Sequence, residues 1–380
     1  MHILFTAAGG WGHVEPLMPL AQAAAALGHS VTFAVRPRMQ ASVARLGYAT
    51  VVAGTDRGLT PVRRELQALD MEGELRAVGT GFAGRIARER GADLLTIIRT
   101  RRPDLVIYEE TDFGAQVAAE KMNIPCVRVI VIGAGGFIRP EYVAGPLDAV
   151  RAEQGLLSDP QLTARTRGGT LSPFPPGYRA PEDPLPADTR YVNNFGEPIP
   201  SAPPTWPGQF DAAPLIYFTL GTIFGVEAGN LYGRVLAGLH DLPVNVLATV
   251  GRDVDPAELG PQPSHIRVEQ FLPQSEVLPH CDLVICHGGS GSVLGALAHG
   301  RPMVILPLGA DQPLNAARCA ELNLARTLDA FSATPAEIST AVAAVWREPR
   351  YGERARETAA TIAAQPDARR VMEDLVMRDG

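Results

Sequence analysis

The sequence predicts an α/β protein of two doubly wound domains, each built on a parallel sheet. Short apolar runs alternate with helical stretches in the first half of the chain, and the alternation restarts in the second half. This strand–helix–strand rhythm is typical of βαβ units. Between the halves, residues 173–207 contain 11 prolines, a density that no helix or central strand tolerates. We therefore expect one domain at 1–205, ending in this linker, and a second at 206–380.

The composition is that of a globular protein. The chain has 380 residues, of which 46% are hydrophobic and 20% are charged, and at roughly 150 residues per domain its length suits two domains. The formal net charge is −7, which argues against a broadly basic nucleic-acid-binding surface. No apolar run reaches the roughly 18 residues of a membrane span.

The cysteines and the start of the chain favour the cytoplasm. The four cysteines have no CxxC spacing, so we expect reduced thiols. The chain starts MHILFTA, with no basic region ahead of an apolar segment, which is unlike a secretory signal. Lys121 is the only lysine, which excludes a Walker-type phosphate loop.

In the first half, glycines mark where helices end. Apolar strand 2–7 leads into helix 14–27, which stops at Gly28, and helix 39–46 stops at Gly47. The other elements predicted here are strands 31–35, 48–52, 105–108 and 126–132 and helices 82–100 and 113–122. Segments 54–80 and 133–172 are expected to be loops that contact a ligand, with short helical pieces in the second.

The second half repeats the pattern after the linker. The predicted strands are 215–219, 244–249, 266–270, 283–286, 303–306 and 325–328. The predicted helices are 230–239, 292–298, 314–322 and 334–346, followed by a charged helical tail at 350–379. In open parallel sheets, ligands bind beyond the carboxyl ends of the strands. Two such sheets facing each other make a cleft, so we expect the chemistry in the loops that follow these strands.

The first such loop, residues 8–13, reads AGGWGH. Its glycines allow close approach of a ligand, but the dinucleotide fingerprint fails because Glu15 stands where the third glycine belongs. His13 lies at a helix start, where the helix dipole disfavours the protonated ring. His13 is thus a candidate proton acceptor, the alternative being a histidine that only caps or packs.

A second loop, residues 108–113, reads YEETDF and follows a strand of the same sheet. Asp112 either caps the next helix or accepts a hydrogen bond from His13 and stabilises the imidazolium formed on proton abstraction. Glu109 and Glu110 are open alternatives for that second task, or are solvated.

The third loop, residues 286–292, reads CHGGSGS and lies between a strand and a helix. Free backbone N–H groups and the helix dipole favour an anion there. Ser290 and Ser292 add hydroxyls and His287 adds a ring N–H, which suits a diphosphate held mainly by neutral donors. The alternative is a plain glycine-rich turn.

Three further loops carry weaker signals. Thr222 follows the first strand of the second half as a second phosphate contact. Asp311 and Gln312 suit hydrogen bonding to sugar hydroxyls, unless Asp311 is only a helix cap. Phe271 is placed to stack on a base or to pack in the core.

Some patterns point elsewhere and fail. Asp253 and Asp255 have the spacing of a metal-binding pair but precede Pro256 in a loop, where capping is the simpler interpretation. The nucleophile elbow of lipases needs Gly-x-Ser-x-Gly, and Ser292 occupies its last position. Neither a CxxC nor an HxxxH zinc pattern is present.

The stretch 271–312 resembles the donor-binding signature of family-1 nucleotide-sugar glycosyltransferases. It reads FLPQ…HGGSGSVLGALAHGRPMVILPLGADQ, and the N-terminal GGxGH fits as well. The likeness extends over nearly the whole chain and is greatest to the bacterial branch that glycosylates macrolides, enediynes and aromatic polyketides. It implies the GT-B fold, with a last helix that crosses back to the first domain, and no required metal or cofactor beyond the nucleotide-sugar donor.

The resemblance also implies roles for individual residues. His13 becomes the general base of an inverting transfer and Asp112 its partner. Phe271 takes the place of the aromatic residue under the base, His287 and Ser292 hold the diphosphate, and Asp311 and Gln312 bind the donor sugar. The whole donor-binding set is Gly10, Thr222, Phe271, Leu272, Gln274, His287, Gly289, Ser290, Gly291, Ser292, Asp311 and Gln312.

One departure from the plant members bears on the donor. They have Glu, which grips the ribose hydroxyls, at the position of Gly295, so we expect dTDP-sugars rather than UDP-sugars. The expected acceptor is a hydrophobic aglycone, O- or C-glycosylated, and a homodimer is left open. The competing functions are a nucleotide-sugar 2-epimerase of the same fold and a non-catalytic nucleotide-sugar-binding protein.

Overall fold

The structure is a computed structural model that describes residues 1–57, 65–195, 206, 210–221 and 228–377. The chain divides into two compact units. Unit 1 comprises Met1–Thr60, Met71–Gly196 and Ala364–Gly380, and unit 2 comprises Pro61–Asp70 and Glu197–Ala363. Each unit contains one parallel sheet with helices around it.

The sheet of unit 1 has seven strands in the order β3-β2-β1-β4-β5-β6-β7. Every pairing in it is parallel. The strands are β1 His2–Thr6, β2 Ser30–Val35, β3 Ala49–Val52, β4 Leu105–Glu109, β5 Cys126–Val129, β6 Thr170–Ser172 and β7 Arg190–Tyr191. Strand β7 lies inside the proline-rich segment, and proline is tolerated near it because β7 is an edge strand of only two residues.

The first seven helices belong to unit 1. They are α1 Trp11–Val14, α2 Met18–Ala26, α3 Pro37–Ala44, α4 Met71–Ala77, α5 Ala87–Arg101, α6 Phe113–Met122 and α7 Pro140–Glu153. The predicted helix 14–27 is interrupted by a 3₁₀ turn, Glu15–Leu17. Prolines at the starts of this turn and of α2 lack the N–H that a continuous helix needs. The predicted loops at 54–80 and 133–172 instead contain α4 and the 14-residue α7.

A π-helical segment, Val78–Ile86, joins α4 to α5. The predicted helix 82–100 therefore starts as a wider turn. A Cβ on Gly79 would lie 2.1 Å from the carbonyl oxygen of Tyr142, so only glycine lets this segment approach α7 so closely.

The sheet of unit 2 has six parallel strands in the order β10-β9-β8-β11-β12-β13. The strands are β8 Leu215–Thr219, β9 Asn245–Thr249, β10 Ile266–Glu269, β11 Leu283–Cys286, β12 Met303–Ile305 and β13 Ala325–Thr327. The helices are α8 Leu231–Leu239, α9 Gln274–Val277, α10 Ser290–Ala298, α11 Gln312–Glu321, α12 Pro335–Arg347 and α13 Pro349–Ala363. The predicted strands and helices lie within a few residues of these.

The predicted tail 350–379 is two helices. A break at Pro366 separates α13 from α14, Ala368–Val376. Helix α14 contributes Val371, Met372 and Leu375 to the same buried cluster as β1 and α2. It therefore completes the core of unit 1, although the chain before it belongs to unit 2.

Candidate functional site

His13 lies at the carboxyl edge of the sheet in unit 1. The chain leaves β1, turns through two glycines and enters α1, which carries the ring. Nδ1 of His13 is 3.2 Å from Oε1 of Glu109 and 3.2 Å from Oγ1 of Thr111. The imidazole is 25% exposed, whereas the carboxylate of Glu109 is fully buried. The strand register explains this contact, since Thr6 of β1 pairs with Tyr108 of β4 and Glu109 comes next.

Two neighbours fix the position of the His13 ring. A Cβ on Gly9 would lie 2.1 Å from Cδ2 and 2.4 Å from both Cγ and Nε2 of His13, so the ring rests directly against the Gly9 backbone. The ring of Phe82 stacks on the imidazole at 5.8 Å between centroids and 13° between planes. Phe82 belongs to the π-helical segment, a rare geometry that often accompanies functional sites.

Glu109 is held as an anion. Its carboxylate accepts hydrogen bonds from the backbone N–H of Ala8 at 3.0 Å and of Thr111 at 2.8 Å, and from the Thr111 hydroxyl at 2.8 Å. Burial by itself would raise the pKa of Glu109, but the His13 charge, its hydrogen bond and the backbone N–H groups outweigh burial and lower that pKa. Nδ1 of His13 therefore carries the proton, and Nε2 is the basic nitrogen of the neutral ring.

Asp112 does not contact His13, which corrects the pairing expected from the sequence. Its Oδ1 and Oδ2 accept hydrogen bonds from Nε and Nη2 of Arg90 at 3.0 and 2.5 Å, and both side chains are fully buried. Asp112 also caps α6 by accepting from the N–H of Ala115 at 3.2 Å. The alternative of a helix cap is the one that holds, and the carboxylate beside His13 is Glu109.

Glu110 is buried rather than solvated. Its Oε1 accepts from the N–H groups of Val131 and Ile132 at 2.8 and 2.6 Å, and Arg165 lies 3.6 Å from Oε2. These contacts fix the turn after β5. Glu110 therefore stabilises the edge of the sheet and does not hold the His13 ring.

In unit 2, His287 follows β11 and fits between two glycines. A Cβ on Gly221 would lie 2.7 Å from Cε1 of His287, and one on Gly289 would lie 2.4 Å from Nε2. Only residues without a side chain allow this packing. Burial lowers the pKa of His287 to about 4, so the ring is neutral near pH 7.

Helix α10 begins at Ser290, with Gly289 at its N-cap and no side-chain cap. The Ser292 hydroxyl accepts a hydrogen bond from Nε2 of Gln274 at 3.1 Å, so its own proton can be donated to a ligand. Gly291 is exposed, and a Cβ there would meet nothing within 4 Å. This end of α10 is accessible to an anion.

Ser290 and Asp311 form a hydrogen-bonded cluster with Asn315. The Ser290 hydroxyl donates to Oδ2 of Asp311 at 2.6 Å, and Nδ2 of Asn315 donates to both groups at 3.0 and 2.9 Å. The Ser290 proton is thus directed at Asp311, which differs from the expected hydroxyl donor to phosphate. Asp311 is partly exposed and occupies the N-cap position of α11 without a side-chain cap bond.

Gln312 is buried beside the loop that follows β12. Its side chain is 1% exposed, and its Oε1 accepts from the backbone N–H groups of Leu308 and Gly309 at 2.7 and 3.2 Å. Its Oε1 therefore shapes the loop after β12, and the predicted contact of Gln312 with a sugar hydroxyl stays a prediction.

Phe271 is 39% exposed, which excludes the core alternative. Nearby, Arg252 places its guanidinium carbon 3.9 Å from the ring centroid. Leu272 is half-buried between Phe271 and the start of α9.

Comparisons with known proteins show what the chain is similar to. The family described as erythromycin biosynthesis protein CIII-like, C-terminal domain, matches residues 233–377. The 4'-demethylrebeccamycin synthase of Lentzea aerocolonigenes is 28% identical over 428 residues, covering 98% of this chain and 99% of the relative. The demethyllactenocin mycarosyltransferase of Streptomyces fradiae is 29% identical over 350 residues, covering 85% and 74%.

Among solved structures, the glycosyltransferase VinC in complex with DTDP superposes with a TM-score of 0.79. It is 24% identical and covers 100% of this chain and 99% of its own. The chain is a glycosyltransferase. The glycosyltransferase resembles the bacterial antibiotic branch, and its two parallel-sheet units are those of the GT-B fold.

Thr222 and Gly10 also belong to the donor-binding set predicted for the glycosyltransferase. Thr222 lies outside the described residues, so its predicted phosphate contact stays a prediction. Gly10 is partly exposed, and a Cβ there would meet nothing within 4 Å.

In the described part of the glycosyltransferase, no group of three His, Cys, Asp or Glu residues is placed to hold a metal ion. Every described helix is too short or too polar to span a bilayer.

Sequence reasoning did not single out Thr111, Phe82 and Asn315 of the glycosyltransferase. Thr111 stands between two candidate acids, so an alternation of acidic and polar residues was its only signal. The position of Phe82 against His13 depends on the π-helical turn, and a single sequence carries no pattern that predicts such a turn. Asn315 lies one helical turn after Asp311, a spacing that indicates a shared helix face.

Proposed function

We propose that the glycosyltransferase moves a sugar from a dTDP- or UDP-sugar to a hydroxyl, or an aromatic carbon, of a natural-product aglycone, with inversion at the anomeric carbon. The observation that carries the proposal is the contact of His13 Nδ1 with the buried anion Glu109 at 3.2 Å. It leaves Nε2 as the base and provides a negative charge that stabilises the imidazolium.

In this mechanism His13 takes the proton of the acceptor hydroxyl on Nε2. The oxygen attacks the anomeric carbon from the face opposite the diphosphate, so the new glycosidic bond has inverted configuration and the nucleoside diphosphate leaves. The N–H groups at the start of α10 and the Ser292 hydroxyl stabilise its negative charge. Glu109 remains ionised throughout and acts as a positioning residue.

The substrate classes rest on the relatives. One relative is named as a mycarosyltransferase and one solved structure holds DTDP, which favours a deoxysugar nucleotide donor. Gly295 agrees with this, since it has no carboxylate for a ribose 2′-hydroxyl. A UDP-glucose affinity ten or more times that of dTDP-glucose would contradict the preference for dTDP.

The test is turnover of a dTDP-sugar with a panel of polyketide aglycones, read by mass spectrometry as the gain of one sugar. A thermal-shift panel of nucleotide sugars selects the donor first. Replacing His13 with Ala should lower kcat by about 10²–10⁴ while nucleotide affinity stays the same. Near-full turnover by His13→Ala would refute the base assignment, and retention of the anomeric configuration would refute inversion.

A further inference from the structure

We propose that Arg252 binds the diphosphate of the donor and supplies the positive charge of that site. The inference rests on the proposed function, because it assumes that a nucleoside diphosphate binds unit 2 with its base at Phe271. It adds a residue outside the donor-binding set predicted from the sequence, and it replaces the expectation that neutral donors suffice.

The first argument is elimination along the sequence. Because ligands of open parallel sheets bind beyond the carboxyl ends of the strands, the elimination considers the segments between each of the six strands of unit 2 and the next helix or strand. Arg252 is the only lysine or arginine in all of these segments. They are residues 220–230, 250–265, 270–273, 287–289, 306–311 and 328–334.

The second argument is that Arg252 is available. It is exposed, and none of the described carboxylates forms an ion pair with it. Its guanidinium lies 3.9 Å from the Phe271 ring centroid, and its carbonyl oxygen accepts from Nε2 of Gln270 at 2.9 Å. The backbone is thus anchored while the guanidinium keeps its N–H groups for a ligand. An exposed cation–π contact is worth only about 0.5–1 kcal/mol, so a phosphate can displace it.

The third argument is contact between the loops. A Cβ on Gly251, next to Arg252, would lie 3.6 Å from the carbonyl oxygen of Gly221. A Cβ on Gly221 would in turn lie 2.7 Å from the His287 ring. The loop after β9 therefore contacts the loop after β8, and the loop after β8 contacts His287 in the loop that precedes α10. This chain of contacts places Arg252 at the same edge of the sheet as the anion site.

The fourth argument is charge balance. A nucleoside diphosphate carries more than one negative charge, whereas the start of α10 offers roughly half a positive charge. His287 is neutral near pH 7 because burial lowers its pKa to about 4, and the acidic side chain nearby, Asp311, offers no positive charge. Arg252 is the group that corrects this imbalance.

The experiment compares Kd values of dTDP, dTMP and thymidine for the wild-type enzyme, Arg252→Ala and Arg252→Lys, at low and high salt. Arg347→Ala is the matched control, because Arg347 is also an exposed arginine of unit 2 but lies at the end of α12. Arg252→Ala should weaken dTDP about tenfold, dTMP less, and thymidine less than twofold. The weakening of dTDP by salt should also be smaller in this variant, and Arg252→Lys should keep most of the affinity.

Several results would overturn the proposal. Equal loss for thymidine and dTDP would mean that Arg252 acts on the base, and tighter dTDP binding would mean that it only covers Phe271. An equal loss of dTDP affinity in Arg347→Ala would mean that Arg252 acts only through the overall charge of the protein. If the wild-type enzyme binds neither dTDP nor UDP, the proposed function fails, and this outcome is distinct from a loss of affinity confined to Arg252→Ala.

Discussion

Replacing Asp112 with Asn should destabilise the protein without removing its base. Asp112 and Arg90 are both fully buried, with two hydrogen bonds at 3.0 and 2.5 Å. Removing one partner of a buried pair costs about 3–5 kcal/mol, because the other charge stays buried. Asn can still cap α6, so this figure excludes the further ~1 kcal/mol of a lost cap. For a unit of this size the melting temperature should fall by roughly 6–20 °C.

The assay pairs thermal unfolding with steady-state kinetics well below the melting temperature. Folded Asp112→Asn should keep kcat within a few-fold of the wild type and the same pH–rate profile. Glu109→Gln should instead lower kcat by about 10²-fold or more, because the Nδ1 proton loses its anionic acceptor. If Asp112→Asn melts like the wild type and loses turnover as Glu109→Gln does, the structural role given to Asp112 is wrong.

Three other predictions follow from single contacts. Gly9→Ala should lower kcat about tenfold or more, because its Cβ would lie 2.1 Å from His13. Gly12→Ala is the control, because a Cβ there would meet nothing within 4 Å. Equal kcat values for the two variants would contradict the prediction. His287 has a folded pKa of about 4 against 6.5 unfolded, so the unfolded state binds the extra proton and the free energy of unfolding falls by about 3 kcal/mol as pH drops from 6.5 to 4. Urea unfolding of His287→Gln should show a smaller fall over the same pH range. An equal fall in both proteins would exclude His287 as its cause. Arg36 is 2% exposed and no described residue accepts from its guanidinium, so Arg36→Met should raise the melting temperature, and a decrease would reveal a partner for that charge.

The sequence predicted the alternating elements of both units because apolar runs and helix-ending glycines are local signals. Strand β7 was missed because proline density outweighed a two-residue edge pairing. The helix α7 and the π-helical segment were missed for another reason: their stability comes from packing, as the approach of Gly79 to Tyr142 illustrates.

At the candidate site, the sequence predicted which loops carry the polar side chains but not every partner of those side chains. Glu109, Glu110 and Asp112 lie within four residues, and their types alone cannot say which one meets His13. The register of β1 against β4 decides for Glu109, and the distant Arg90 takes Asp112. The hydrogen bonds of Gln312 to the N–H groups of Leu308 and Gly309 were not predicted, because those groups come within reach of its side chain only once the loop is folded.

The placement of α14 matters to anyone who wishes to build hybrid enzymes from this chain. Unit 1 ends at Gly196 and resumes at Ala364, so a single junction near the middle of the gene would strip it of Val371, Met372 and Leu375. A fragment ending there would leave an uncovered apolar strip on α2 and should aggregate. Exchange of either unit with that of a relative therefore requires two splice points, so that the final helix and the amino-terminal portion come from the same parent.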